Sequence, residues 1–193
     1  EYVAAIDNLL DGWIIFGKKA REFEEMFPAL LGKEFGVLTN SGSSANLLMM
    51  AALKSKRSYN LKPGTKVITP VSGFPTTINP IIQLGFEPVF VDVTLPSLNL
   101  DLDQVERMLK KDSSIKVITF AHPLGNPPDM ERLSHLVEKY NLIFLEDACD
   151  ALGSYYDGKK LGSFGHLSSC SFFPAHHMTI GEGGYVATDD SKL

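Results

Sequence analysis

Cysteine is scarce: Cys149 and Cys170 are the only two in 193 residues. Two thiols make no disulfide framework, which points to a reducing, cytoplasmic setting. A basic excess is missing too, since 18 Lys and Arg face 23 Asp and Glu, for a formal net charge of −5 spread along the chain. That balance argues against nucleic acid and anionic membranes as partners. No apolar run approaches the roughly 18–20 residues that cross a bilayer, and no signal-peptide pattern opens the sequence. Repeats, low-complexity tracts, a Walker sequence and the dinucleotide glycine fingerprint are also absent. The chain starts on Glu1 rather than Met and stops soon after a strand-like Tyr185–Thr188, so an excerpt of a longer protein is expected.

What is present is a globular profile, 44 % hydrophobic, long enough for one large domain over residues 1–193. Helical spacing marks Glu1–Asp11 and Lys19–Leu31. Then strands and helices alternate: strand Phe35–Thr39, helix Ala45–Leu53, strand Lys66–Thr69, helix Thr76–Leu84, strand Pro88–Val93. Helix Leu102–Leu109 with Asp101 as its cap, strand Lys116–Ala121, helix Met130–Tyr140 and strand Leu142–Leu145 continue the pattern. Near-continuous apolar strands separated by helices predict an α/β fold with a mainly parallel sheet covered on both faces. Past Asp150 the rhythm changes to a hairpin turning at Asp157-Gly158, then strands Leu167–Phe173 and Tyr185–Thr188.

Ligands of such sheets sit at the carboxyl ends of the strands. The loops there are Asn40–Ser44, Ser72–Thr77, His122–Asn126, Asp147–Asp150 and Ser171–His177, and their convergence on one crevice is expected. Gly42-Ser43-Ser44 opens a helix after a strand, which suits a phosphate, or Ser43 or Ser44 simply caps the helix. Asp147 at a buried strand end needs a positive or hydrogen-bonding partner. Asp150 lies three residues on, in reach of a second polar group; loop capping is the plainer reading of both. Phe74, between Gly73 and Pro75, is placed to stack on a planar ring or to pack as core. Ser171 offers a hydroxyl. His176 and His177 are adjacent, so at most one points into a site, where an imidazole with an ordinary pKa of about 6.5 gives and takes protons. Metal ligation by this pair alone is disfavoured by its spacing. Cys170 reads as a core thiol.

The segments NSGSSANLL, VITPVSGFPTTINPI, PVFVDV, IFLEDACDALGSYYDGKKLGSFG and SFFPAHHMTIGEGG together resemble the DegT/DnrJ/EryC1/StrS family of sugar-modifying enzymes. The resemblance implies the large domain of a pyridoxal-phosphate-dependent transferase, with a seven-stranded type of sheet and without the C-terminal small domain. It implies that Gly42, Ser43 and Ser171 hold the cofactor phosphate, that Phe74 stacks on the pyridine ring and that Asp147 pairs with the ring nitrogen. Asp150 matches a position that contacts the ring or its substituents. Family aminotransferases resemble Ser-Phe-x-x-x-Lys here, the lysine forming a Schiff base; five residues past Ser171 this chain has His176 instead. Imidazole cannot form that bond, so the cofactor is expected untethered, as pyridoxamine phosphate.

Histidine at this point marks the 3-dehydrases of nucleotide-linked 4-keto-6-deoxy sugars, as used for lipopolysaccharide O-antigens. PAHHMTIGEGG looks nearest to the CDP-sugar branch, the GDP-sugar branch being the alternative. By the same resemblance His176 is the catalytic base, Cys149 stands at a candidate [2Fe–2S] ligand position, a flavin and iron–sulfur reductase is a partner, and a homodimer is the assembly. Gly165-His166 departs from a frequent Gly-Asp and leaves open what replaces that carboxylate. A sugar aminotransferase that has lost its lysine and a non-catalytic assembly or binding domain are the competing readings.

Overall fold

The computed structural model describes residues 2–13 and 15–193. Its first helix, α1 (Tyr2–Leu10), buries no residue, and Glu1, expected at its start, lies outside the described residues. Helix α2 (Lys18–Met26) stops earlier than its apolar spacing predicts and gives way to a 3-10 turn over Phe27–Leu31. Pro28 is the cause, because it lacks an N–H and its ring crowds the preceding turn. Phe23 stacks on Phe27 with centroids 4.9 Å apart, and both rings meet Phe172 and Tyr185, pinning this segment under the sheet.

The remaining elements follow the expected alternation. They are β1 (Phe35–Thr39), α3 (Gly42–Ala52), β2 (Lys66–Pro70), α4 (Pro75–Gln83) and β3 (Glu87–Val91). A small hairpin of β4 (Val93–Thr94) and β5 (Asn99–Leu100) precedes α5 (Leu102–Lys111), β6 (Ile115–Ala121), α6 (Met130–Lys139) and β7 (Ile143–Asp147). A second hairpin, β8 (Tyr155–Tyr156) and β9 (Lys159–Lys160), leads to β10 (Leu167–Ser171) and β11 (Gly184–Thr188). Asp157 and Gly158 turn that hairpin with φ of 46° and 75°, as the Asp-Gly pair predicts. Asp101 caps α5 by accepting from the N–H of Asp103 and Gln104 at 2.9 Å each.

Seven strands form one sheet in the order β1-β11-β10-β7-β6-β2-β3. β11 runs antiparallel to both its neighbours and the other pairings are parallel. Along β7, β10 and β11 each residue is buried, so the usual alternation with polar positions is lost because helices cover both faces. On one face Ile118, Phe120 and Phe144 pack with Val105 and Leu109 of α5 and with Met130, Leu133 and Leu136 of α6. On the other, Val117, Ile143 and Leu145 pack with Met49 and Met50 of α3 and Ile81 of α4. Each fully buried side chain of this kind contributes about 1.5–3 kcal/mol.

Two local departures have physical causes. β10 ends at Ser171 rather than Phe173, because the N–H of Phe173 turns back to Ser171 Oγ at 3.3 Å and Pro174 has no donor to continue the ladder. His166, at the position where the resemblance leads one to expect aspartate, still acts as an acceptor: its Nδ1 takes the N–H of Phe144 at 3.0 Å. Among the described residues no helix is long and apolar enough to cross a membrane.

Candidate active site

Parallel pairing puts the carboxyl ends of β1, β2, β6, β7 and β10 on one edge, and the site is built there. Asp147 ends β7 and is 3 % exposed. Its Oδ2 accepts from Asn46 Nδ2 at 2.8 Å and Thr77 Oγ1 at 2.7 Å, and its Oδ1 from the N–H of Cys149 at 3.2 Å. Ser169 Oγ, 3.4 Å from Oδ1, also donates to Asn46 Oδ1 at 2.5 Å, closing the network. These donors replace the water that burial removes and fix the carboxylate in one orientation. Sequence reasoning asked for such partners without finding them: Asn46, Thr77 and Ser169 come from α3, α4 and β10, and no spacing links them to Asp147.

Behind it, Glu146 is fully buried and accepts from the N–H of Gly162 at 2.5 Å, Phe164 at 2.9 Å and Gly165 at 2.8 Å. Its Oε1 also meets His122 Nε2 at 2.9 Å. Burial by itself pushes the Glu146 carboxyl up, but the His122 contact and the backbone donors outweigh it and hold the group below the ordinary carboxylate range. His122 Nδ1 is buried without a hydrogen-bond partner among the described residues. Neither residue is assigned a role by the sequence pattern.

The start of α3 forms the second part of the site. Its cap is Ser41, whose Oγ accepts from the N–H of Ser44 at 3.1 Å, so the capping expected of Ser43 or Ser44 is carried two residues before Ser43. Ser43 is left exposed beside the first free N–H groups of the helix. Gly42 is required by proximity: a Cβ there would lie 2.5 Å from Ser171 Cβ and 3.2 Å from Cys149 Sγ. Gly184 presses so closely on the Ser41–Gly42 peptide that it too has no room for a side chain. Ser171, 6 % exposed, therefore sits against the mouth of α3, and the loops after β1 and β10 meet as anticipated. Cys149 lies between them; burial, and then the charge of Asp147, push its thiol well above the ordinary value. Cys170 is a core thiol, raised by burial to about 12.

The third part is open. Phe74, 66 % exposed, stands at the mouth of a cavity of about 150 Å³ whose walls include Thr77, Asn99, Pro123 and Asp150. Asn99 is an addition that the sequence did not suggest: it is 3 % exposed and its Oδ1 has no hydrogen-bond partner among the described residues. The His176 ring is mostly covered, with Nδ1 3.1 Å from Asp150 Oδ1 and the Phe173 ring edge-on at 6.4 Å. His177 is exposed, so of the pair only His176 is held against a neighbouring side chain, that of Asp150.

These parts fit a planar anionic cofactor. A buried, fully oriented carboxylate suits a protonated ring nitrogen, the side-chain-free helix start at Gly42 suits a phosphate, and Phe74 supplies a free aromatic face. The seven-stranded sheet with one reversed strand, carrying such a site at its carboxyl edge, is the α/β fold of the pyridoxal-phosphate-dependent aminotransferase-like enzymes. The description DegT/DnrJ/EryC1/StrS aminotransferase family matches residues 1–193, and the chain belongs to that family.

The chain is 45 % identical over 190 residues to the lipopolysaccharide biosynthesis protein RfbH of Salmonella typhimurium, a match over 97 % of this chain and 43 % of that protein. It is 43 % identical over 193 residues to the dTDP-4-dehydro-2,6-dideoxy-D-glucose 3-dehydratase of Saccharopolyspora spinosa, covering 99 % of this chain and 41 % of the relative. Among solved structures it matches the Escherichia coli GDP-4-keto-6-deoxy-D-mannose-3-dehydratase with bound hydrated PLP, at a TM-score of 0.92 and 33 % identity, over 98 % of this chain and 48 % of that one. The chain thus spans less than half the length of these relatives.

Proposed function

We propose that this chain is the cofactor-binding part of a pyridoxamine-phosphate-dependent 3-dehydrase acting on a nucleotide-linked 4-keto-6-deoxy sugar. The observation that carries the reading is His176, an imidazole held at the site where a Schiff-base lysine is expected in the aminotransferases. When bound, the cofactor supplies a primary amine for the sugar ketone and a ring that draws off electron density. Asp147, oriented by Asn46 and Thr77, would hold the ring nitrogen protonated. The N–H groups at Gly42 and Ser43, with Ser171 Oγ, would bind the phosphate, and Phe74 would cover one ring face. His176 would take a proton from the aminomethyl carbon through Nε2 as the 3-hydroxyl leaves, a base contribution of typically about 100- to 10,000-fold. Asn99 Oδ1 offers an acceptor to a sugar hydroxyl at the cavity wall.

Within that class the reading favours a CDP-4-keto-6-deoxyglucose 3-dehydrase, with a GDP-4-keto-6-deoxymannose 3-dehydratase as the alternative. Its [2Fe–2S] cluster and flavin–iron–sulfur reductase rest on the position of Cys149 in the sequence pattern. Among the described residues no group of three His, Cys, Asp or Glu could hold a metal, so the other ligands would come from elsewhere in the full-length protein. A homodimer is supported by α1, whose Val3, Ile6 and Leu9 are exposed in the single chain. A cytoplasmic location is supported by the two free thiols.

The test uses the full-length protein with pyridoxamine phosphate and each keto sugar, following loss of the 3-hydroxyl. His176→Lys should abolish dehydration and create the absorbance of a cofactor–lysine Schiff base. Unchanged dehydration by that variant would remove His176 from the chemistry. No spectral response to either form of the cofactor would favour a non-catalytic domain.

A further inference from the structure

His176 lies on an irregular stretch between β10 and β11, not on a strand or helix. A base on such a segment needs something to fix both its ring angle and its tautomer. The nearest candidate is Asp150, whose family position is associated with the cofactor ring rather than with a histidine. Here Asp150 Oδ1 lies 3.1 Å from His176 Nδ1. That contact is a charge pairing by distance rather than a formed hydrogen bond; among the described residues Asp150 makes no side-chain hydrogen bond and no other ion pair, and Nε2 of His176 makes neither. The carboxylate is half exposed while the ring is mostly covered, so the acid reaches inward from the cavity wall to a more sheltered partner.

We infer that Asp150 is a positioning residue for His176, setting its tautomer and aiming Nε2 at the proton to be removed. The inference rests on the reading of His176 as the base. The argument is one of valence. An ionised carboxylate only accepts, so in a neutral imidazole facing it the hydrogen resides on Nδ1. Nε2 then carries the lone pair and points away from Asp150. After Nε2 takes a proton the ring becomes cationic, and the same carboxylate lies against that charge without having to move. The backbone N–H of His176, bonded to Phe173 O at 2.9 Å, and the Phe173 ring hold the residue from the other side. Asp150 therefore belongs to the base and not to the ring of the cofactor.

The test compares full-length Asp150→Ala, Asp150→Asn, His176→Ala and the double Asp150→Ala, His176→Ala variants. Removal of an orienting carboxylate from a catalytic histidine costs on the order of 100- to 10,000-fold in rate. Asp150→Ala and Asp150→Asn should each lower kcat within that range at saturating cofactor. The dissociation constant for pyridoxamine phosphate, read by fluorescence titration, should change by no more than about twofold, because no contact with the ring is lost. In the His176→Ala background Asp150→Ala should cost nothing more, since it acts only through the missing ring. Additive losses, or an effect confined to cofactor affinity, would assign Asp150 to the cofactor and overturn the inference. A fully active His176→Ala would instead remove the base reading itself. Spectra of the 15N-histidine-labelled apoprotein then still decide the pairing, because the His176 Nδ1–H signature must disappear in Asp150→Ala.

Discussion

Replacing Gly42 with alanine puts a methyl group where β10 and α3 already touch. The new carbon would sit 2.5 Å from Ser171 Cβ and 3.2 Å from Cys149 Sγ. Non-bonded carbons settle at about 3.5–4.0 Å, so the helix start and the strand end must separate by about 1 Å. Overpacking of this kind costs about 1–3 kcal/mol. Alanine in place of glycine at a helix start returns ~1 kcal/mol, which leaves a net loss of about 0–2 kcal/mol. The larger effect falls on the cofactor. A hydrogen bond to a charged group contributes about 1.5–3 kcal/mol, so spoiling one phosphate contact weakens binding by about 10- to 150-fold. Thermal unfolding of the full-length apoprotein reads the first number and fluorescence titration with pyridoxamine phosphate reads the second. Wild-type affinity in Gly42→Ala would refute the placement of the phosphate at α3. A lowered melting point with unchanged affinity would do the same while leaving the packing argument intact.

Two further outcomes follow from other parts of the molecule. Glu146 is held below its ordinary value of 4.5 in the folded protein, so its stabilising contribution is complete above that pH and is lost as pH falls through the lower, folded value. Glu146→Gln should flatten this acid limb in urea-melt titrations and cost about 3–5 kcal/mol at neutral pH, because an NH2 group replaces one carboxylate oxygen and is set against either Gly162 N–H and His122 or the N–H groups of Phe164 and Gly165; an unchanged acid limb would mean that Glu146 is not the group responsible. For Cys149, iron and acid-labile sulfide should be present in the full-length protein and lost in Cys149→Ala; equal iron in both would leave Cys149 a packed thiol.

How much of this was legible depended on distance along the chain. Strands such as Phe35–Thr39 were readable to the residue because hydrophobic runs and turn residues are local signals. The convergence of loops on one edge was readable because parallel strands must place their carboxyl ends together. The network around Asp147 was not, since Asn46 and Thr77 lie 101 and 70 residues away and look like ordinary helix residues. The hairpin that brings Asn99 to the cavity was missed because its strands are two residues each, too short to show a period. The apolar spacing of Lys19–Leu31 predicts one helix because it continues through Pro28, where backbone chemistry overrides side-chain pattern. His176 stood out because a residue type was unexpected at its position, but its partner Asp150 carried no such signal.

The reversed strand has a consequence for the order of assembly. β1 joins the sheet only through β11, made some 150 residues later, as the order β1-β11-β10 requires. While the polypeptide emerges from the ribosome, Phe35–Thr39 has no strand to pair with until Gly184–Thr188 slides between it and β10. The turn at Gly42 is completed by that same insertion, because Gly184 seals the Ser41–Gly42 peptide from behind. The packing behind the start of α3 is thus completed only when the last strand enters the sheet, and a nascent chain cut short before residue 184 would lack the backing that the proposed phosphate seat requires.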